Sequence, residues 1–255
     1  MKVIYGNTGD FIFREAAAFL KQKEPLAKEE YEKLSTEARA KAFTVAGYSR
    51  VEVVEQFLKE LAEAVEAGST KEDFMATMQD FLERNGFSPT NPFHLDVIFR
   101  TNIQTAYNAG HYKAMTEPTV LKLRPYWQYI TAGDGEVRES HAAMEGRVYH
   151  ATDPIWNIWY PPNGFRCRCS IKSLSKRQLE QRGLEVSKEI PYELDRETGE
   201  LKASFPDKGF SNNPAKTVWK PDMEQISAPL TEAFMEIQAE NEKRNRQKAK
   251  PQEAI

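Results

Sequence analysis

Pro161-Pro162-Asn163-Gly164-Phe165-Arg166-Cys167-Arg168-Cys169 closes a stretch, opening at His141, that holds both cysteines, two of the four histidines and the tryptophans Trp156 and Trp159. Thiols one residue apart, with a histidine 26 positions upstream, point either to a metal site or to a small aromatic core pinned by a tight turn. Read as a strand, residues 166–172 put Cys167, Cys169 and Ile171 on one face and Arg166, Arg168, Ser170 and Lys172 on the other. One face is thiol and apolar, the other cationic.

Upstream of this stretch the texture is short and β-like. Tyr126 to Thr131 alternates as a strand, Gly133-Asp134-Gly135 is a turn, Glu136 to Glu145 makes a short helix ended by Gly146 that carries His141, and Arg147-Val148-Tyr149 is a further strand. Before that, Asn91-Pro92 supplies an N-cap and a proline for a long helix from about Phe93. Its apolar side carries Leu95, Ile98, Phe99, Asn102, Ile103, Ala106 and Gly110. Arg100, Gln104, Tyr107 or Asn108, and His111 lie on a neighbouring polar stripe, either a solvated shoulder or one from which Arg100 and Gln104 reach into the cysteine stretch.

Residues 12–90 read as helices. Phe13–Leu20 and Leu26–Val45 are separated at Pro25, which disfavours a helical Glu24. Ser49 with Glu52 opens a third helix, which Gly68 stops, and Ser69 with Glu72 opens a fourth, closed by Asn85-Gly86. After Cys169, Ser175 caps a helix running to Gly183, and Tyr192–Leu194 with Glu200–Ala203 forms a hairpin. Residues 205–222 are irregular chain, and Leu230, Phe234 and Ile237 mark a last helix from Ser227 that loses its apolar face after Glu240. The fold class expected is α+β: a helical N-terminal module (1–90), a small mixed α/β domain with short antiparallel strands (91–182), a hairpin and extended arm (183–226), and a C-terminal helix with a charged tail (227–255).

Composition bounds the function. No apolar run approaches the ~18 residues that span a bilayer, and Met1-Lys2-Val3-Ile4-Tyr5-Gly6 has no signal-peptide core, so a cytoplasmic protein without membrane contact is expected. Two cysteines in 255 residues cannot make a secreted disulfide framework. The net charge of -3 hides a basic middle, since residues 94–182 carry 12 Lys and Arg against 8 Asp and Glu.

Four chemistries compete for the cysteine stretch. Cys167 and Cys169 could bind one zinc with His141, the fourth ligand being Asp134, His150 or water. They could instead be buried thiols packed beside Trp156, Trp159 and Phe165, a strained disulfide, or one half of a Cys-His nucleophile. An open metal position would suit a hydrolase or nuclease built on His141, Cys167 and Cys169. The outer face, Arg166, Arg168 and Lys172 with Lys176 and Arg177, suits a nucleic-acid backbone and would also suit a stand-alone DNA-binding module.

Arg100-Thr101-Asn102, Ala106-Tyr107-Asn108-Ala109-Gly110, Trp127, Asp134, Val137-Arg138, His141, Gly146, Asp153-Pro154, Trp156 and Pro161-Pro162-Asn163-Gly164-Phe165-Arg166-Cys167-Arg168-Cys169 together resemble the phage Mu F-like family. These are minor capsid, or head-morphogenesis, proteins of tailed phages and prophages. Asp207-Lys208-Gly209-Phe210, Asn213-Pro214 and Trp219 resemble its Mu-type branch. The resemblance implies a non-enzymatic protein with no small-molecule substrate. It would be made in the bacterial cytoplasm and held in a few copies in the head interior near the portal, with portal, capsid or scaffolding proteins as partners and DNA within reach. Many relatives outside the Mu-type branch carry a Cys-x-x-Cys and a His before the final Cys-Arg-Cys, a zinc set. Arg138, His141 and Gly164 stand at those positions here, which leaves His141, Cys167 and Cys169.

Overall fold

The computed structural model describes residues 9–34, 41–88, 90–194 and 201–216. The expected C-terminal helix and tail, Trp219 and the turn at 195–199 lie outside them. The described chain is α+β, with eight helices and three small sheets among these residues. An N-terminal helical layer packs on one half of a long helix. The other half carries an aromatic core and a three-stranded sheet.

In the helical layer, α1 (Gly9–Lys21) is followed by β1 (Glu24–Pro25), α2 (Lys28–Lys33), β2 (Ala42–Phe43), α3 (Val51–Ala67) and α4 (Lys71–Arg84). Val53, Val54, Phe57, Leu58, Leu61 and Val65 recur at three and four residues along α3 and form the core with Phe74, Met78 and Leu82 of α4. The helix expected over 26–45 is corrected: only the six residues of α2 are helical in its described part, and none of them is buried. That charged segment has no apolar face to hold it. Ala42, Phe43 and Val45 are buried in an extended run, where β2 pairs in parallel with β1.

Both expected N-caps move by one residue, and only the second keeps a capping box. The N-cap of α3 is Arg50, with no side-chain bond, because Tyr48 is anchored against Phe57 and Phe87 and bonded to Thr90, which delays the turn into the helix. At α4 the box is Thr70 with Asp73, whose backbone and side-chain groups bond reciprocally at 3.0 and 3.1 Å. Gly68 in the left-handed region (φ 70°) ends α3 and sets Thr70 at the cap.

Helix α5 (Pro92–Thr116) begins as expected, with the Asn91 side chain accepting from the Phe93 N–H at 2.9 Å and Pro92 in the first turn. Its 25 residues span about 37 Å. Leu95, Ile98 and Ala106 line the helical core, and Met115 lines the aromatic one. After α6 (Pro118–Leu123), β3 (Tyr126–Ile130) forms the centre of an antiparallel sheet. β4 (Val148–His150) lies on one side and β5 (Ser170–Leu174) on the other.

Alternation along these strands separates two environments. Trp127, Tyr129, Tyr149 and Ile171 face the aromatic core, with Trp156, Trp159, Tyr160 and Met144. Val148 and Leu174 face the opposite layer, where α8 (Lys176–Gln181) supplies Leu179. The helix α7 (Glu139–Ala142), shorter than expected, carries His141. The last described elements are β6 (Tyr192–Leu194) and β7 (Leu201–Ala203), a hairpin from which the arm returns over the cysteine stretch.

The β5 strand corrects one expectation and keeps another. It begins at Ser170, so residues 166–169 are not strand, and Arg166 takes a left-handed conformation with φ 56°. The alternation of burial survives: Cys167, Cys169 and Ile171 are buried while Arg166, Arg168 and Lys172 are exposed.

Candidate metal centre

Two elements converge on one buried point. α7 brings His141, and the loop between the 3₁₀ turn at Pro154–Asn157 and β5 brings Cys167 and Cys169. His141 Nδ1 is 3.7 Å from Cys167 Sγ and 3.5 Å from Cys169 Sγ. Both cysteines are free. Each member of the triad is nearly inaccessible.

His141 is oriented by its other neighbour. Nε2 lies 3.2 Å from the Asn163 carbonyl oxygen, which can only accept, so Nε2 donates its N–H there and Nδ1 is the ring atom that faces the sulfurs. Asn163 is fully buried and organises the loop. Its Oδ1 accepts from the Tyr129 hydroxyl at 2.7 Å, and its carbonyl also accepts from the Asp207 N–H at 2.9 Å.

Helix α5 holds the far side. Gln104 and Asn108 donate their amides to the Cys169 carbonyl at 2.9 and 3.4 Å, and the Tyr160 hydroxyl donates to the Asn108 carbonyl at 2.9 Å. The polar stripe of α5 thus reaches the cysteines through Gln104. Arg100 instead bonds to Asp96, one turn earlier, at 2.8 Å. Trp159 meets the His141 ring edge-on at 6.3 Å between centroids. Phe165, expected beside the thiols, is 57% exposed and packs on Phe210. It leaves the core because the chain reverses at Arg166.

The two thiols do not ionise alike. Cys167 is held well below the ordinary thiol value, first by a hydrogen bond from Cys169 and then, against burial, by its contact with His141. Cys169 is pushed up, by that same bond to Cys167 and then by burial. Two sulfurs, one of them readily ionised, beside an imidazole nitrogen make a soft donor set for a cation. In a tetrahedral zinc site with ordinary bond lengths, a sulfur and a nitrogen ligand stand about 3.6 Å apart. The distances of 3.7 and 3.5 Å fit that geometry.

The expected fourth ligands do not join. Asp134 is taken by Arg168, whose guanidinium grips both carboxylate oxygens at 2.6 and 2.7 Å. His150 is exposed on β4 and bonds Thr152 at 2.8 Å. A cleft of about 20 Å³, lined by Glu136, Arg138 and the triad itself, opens beside the thiols. That is room for roughly one water.

The basic face is partly neutralised. Arg166 pairs with Asp96 at 3.1 Å, and Arg168 with Asp134 and Glu136. Lys172, Lys176 and Arg177 are exposed, with no ion pair among the described residues.

The remaining signature residues are structural. Asn102 bonds back to the Ile98 carbonyl, Tyr107 is half-buried, and Gly110 is buried in α5. Trp127 is buried at the sheet centre against Tyr112, Trp156 and Tyr160. Pro161 and Pro162 are buried and joined by a cis peptide. At Gly164 an added Cβ would overlap the Asp207 carboxylate, so a side chain there would have to displace Asp207 from its pairing with Arg138 at 3.3 Å. Sequence reasoning misses the positioning roles of Asp96, Asn108, Tyr129 and Asp207. Only Asp96 has a local signal, an acid four residues before Arg100.

A buried Cys-x-Cys and histidine, clasped between a long helix and a small antiparallel sheet, define a structural core. Its sequence places it: residues 55–172 match the family described as Phage Mu protein F like protein. The chain is 32% identical over 232 residues to a protein of Escherichia phage Mu named putative capsid assembly protein F. That alignment covers 77% of this chain and 52% of that protein. It is 33% identical over 190 residues to the Mu-like prophage FluMu F protein of Haemophilus influenzae, covering 67% of this chain and 45% of that protein. The chain spans about half the length of these curated relatives, and no solved structure matches it significantly. The segment that carries the triad is a Mu F-like region, and by it the chain is recognised as Mu F-like.

Proposed function

We propose that this chain is a minor head protein of a tailed phage or prophage that acts in head assembly near the portal, its Mu F-like region serving as a metal-clasped structural core. The observation that carries the reading is the similarity to a protein named for capsid assembly over most of this chain. The partners proposed are portal, capsid or scaffolding proteins, met in the bacterial cytoplasm and kept in the head interior. Among the described residues no helix is long and apolar enough to cross a membrane.

The metal proposed for His141, Cys167 and Cys169 is zinc, with water as the fourth ligand; the donor set and its separations support it. When bound, the ion would tie α7 to the cysteine loop. A cleft of about 20 Å³ beside the triad gives a substrate no room, which favours this reading over a hydrolase or nuclease. Direct contact with DNA is proposed for Lys172, Lys176 and Arg177, because Arg166 and Arg168 are engaged in ion pairs.

The test is made on particles. Mass spectrometry of purified heads should find the protein at far below major-capsid copy number, and deletion of its gene should leave no filled heads. Its absence from particles, or filled heads without it, would overturn the reading. Untagged protein should carry about one zinc; less than a tenth of an equivalent would remove the metal alone.

A further inference from the structure

Arg166 is the only non-glycine residue with positive φ among the described residues, at 56°. An arginine is sterically strained there unless its surroundings hold it. Three contacts do so. Its N–H donates to Thr101 Oγ1 at 3.1 Å, its Nε stands 3.1 Å from Asp96 Oδ2, and its guanidinium carbon lies 5.3 Å from the centre of the Phe93 ring. All three partners belong to α5.

Asp96 is itself built in. It is buried, and its other oxygen takes Arg100 Nε at 2.8 Å and Lys71 Nζ, from α4, at 3.0 Å. Oδ2 has no aligned hydrogen bond, so its link to Arg166 is an ion pair across the short gap. Burial alone would push this carboxyl up; the bonds from Arg100 and Lys71 outweigh it and hold it below its ordinary value.

The left-handed turn at Arg166 sends its two chain neighbours in opposite directions. It throws Phe165 outward to 57% exposure and turns the next residue, Cys167, inward to the same point as Cys169. We propose that Asp96 and Arg166 are positioning residues for the thiol pair: the helical layer, through Asp96, holds Arg166 in the conformation that aims Cys167 at His141. This rests on the reading of the triad as a metal site and extends it to residues that touch no ligand. Groups of this kind, one step removed from the donors, set donor geometry in metal sites and change affinity about 10–100-fold when lost.

The experiment uses the full chain with Asp96→Asn, Arg166→Ala and Arg166→Gly. Glycine keeps the left-handed backbone at no steric cost but loses the anchored side chain; alanine loses both. Two readouts run in parallel. Cobalt(II) titration follows the thiolate-to-metal charge-transfer band, and apo protein is reacted with a disulfide reagent to time the exposure of Cys167 and Cys169. Expected are cobalt affinities about tenfold weaker for Asp96→Asn and weakest for Arg166→Ala, with Arg166→Gly between that and wild type, and thiol reaction rates in the reverse order. Circular dichroism confirms folding, and Arg166, at the surface, supplies variants that keep the fold if Asp96→Asn does not. Wild-type affinity and thiol rate in the folded variants would overturn the proposal while leaving the triad reading intact. If wild type binds no cobalt, the metal reading fails, and the thiol rates alone then decide the positioning role.

Discussion

The bond between Tyr129 and Asn163 should be the most costly single polar contact to break in the aromatic core. The Tyr129 hydroxyl and Asn163 Oδ1 meet at 2.7 Å, and both residues are 0% exposed. Tyr129→Phe leaves Oδ1 bare in a site that water does not reach, which costs about 1–3 kcal/mol. Asn163→Ala leaves the hydroxyl only the Cys169 sulfur as partner, removes a long 3.5 Å bond to the Ile158 carbonyl and opens a small cavity, for about 2–4 kcal/mol in total. The double variant has the cavity but neither orphaned group. It should therefore cost less than the sum of the singles by about 1–3 kcal/mol. Urea unfolding of the four proteins, compared at equal slope, measures this. Additivity to within about 0.5 kcal/mol would refute the claim that the two groups satisfy each other.

Acid should act through Asp96. Its carboxyl is held below its ordinary value when folded, so its contribution is present above about pH 4 and is lost as pH falls through the lower folded value. Asp96→Asn should be less stable than wild type at pH 7, and the gap should narrow as pH falls below about 4; a constant gap in urea midpoints would contradict this. Phe57→Ala, at a fully buried position touching Tyr48 and Phe74, should cost about 3–5 kcal/mol, read by thermal unfolding. If DNA is bound through the outer face, alanine at Lys172, Lys176 and Arg177 should reduce the salt slope of binding by about 0.9 per cation removed. Alanine at Arg168, already neutralised by Asp134, should change it little; an equal effect at both would refute the division of the basic face.

What could be read from sequence was local. Asn91-Pro92 marks the start of α5 because cap and proline act within one turn. The inward set Cys167, Cys169 and Ile171 was legible as alternation even though the ladder starts only at Ser170, since burial follows side-chain direction and not hydrogen bonding. The caps at Ser49 and Ser69 slipped by one because each has a neighbour able to end the extended run, and tertiary anchors such as Tyr48 choose between them. The helix over 26–45 failed because its charged part has no core to face. The supports of the triad come from far along the chain. Gln104 lies 65 residues from Cys169; its place on the polar stripe of α5 made the reach legible, but not the Cys169 carbonyl as its partner.

Helix α5 is the element through which these parts become one structure. Within a single rod it lines the helical core with Leu95 and Ile98, anchors Arg166 through Asp96 and Thr101, and grips the Cys169 carbonyl with Gln104 and Asn108. The order along the helix matches the order along the loop, Asp96 and Thr101 with Arg166, then Gln104 and Asn108 with Cys169. A rotation of α5 would therefore disturb both cysteines at once. The sheet constrains the same loop at fewer points, through β5 after Cys169 and Tyr129 at Asn163. The geometry of the triad is thus set mainly by where the N-terminal helices place α5. That ties a buried Cys-x-Cys and histidine, through α5, to the helical layer.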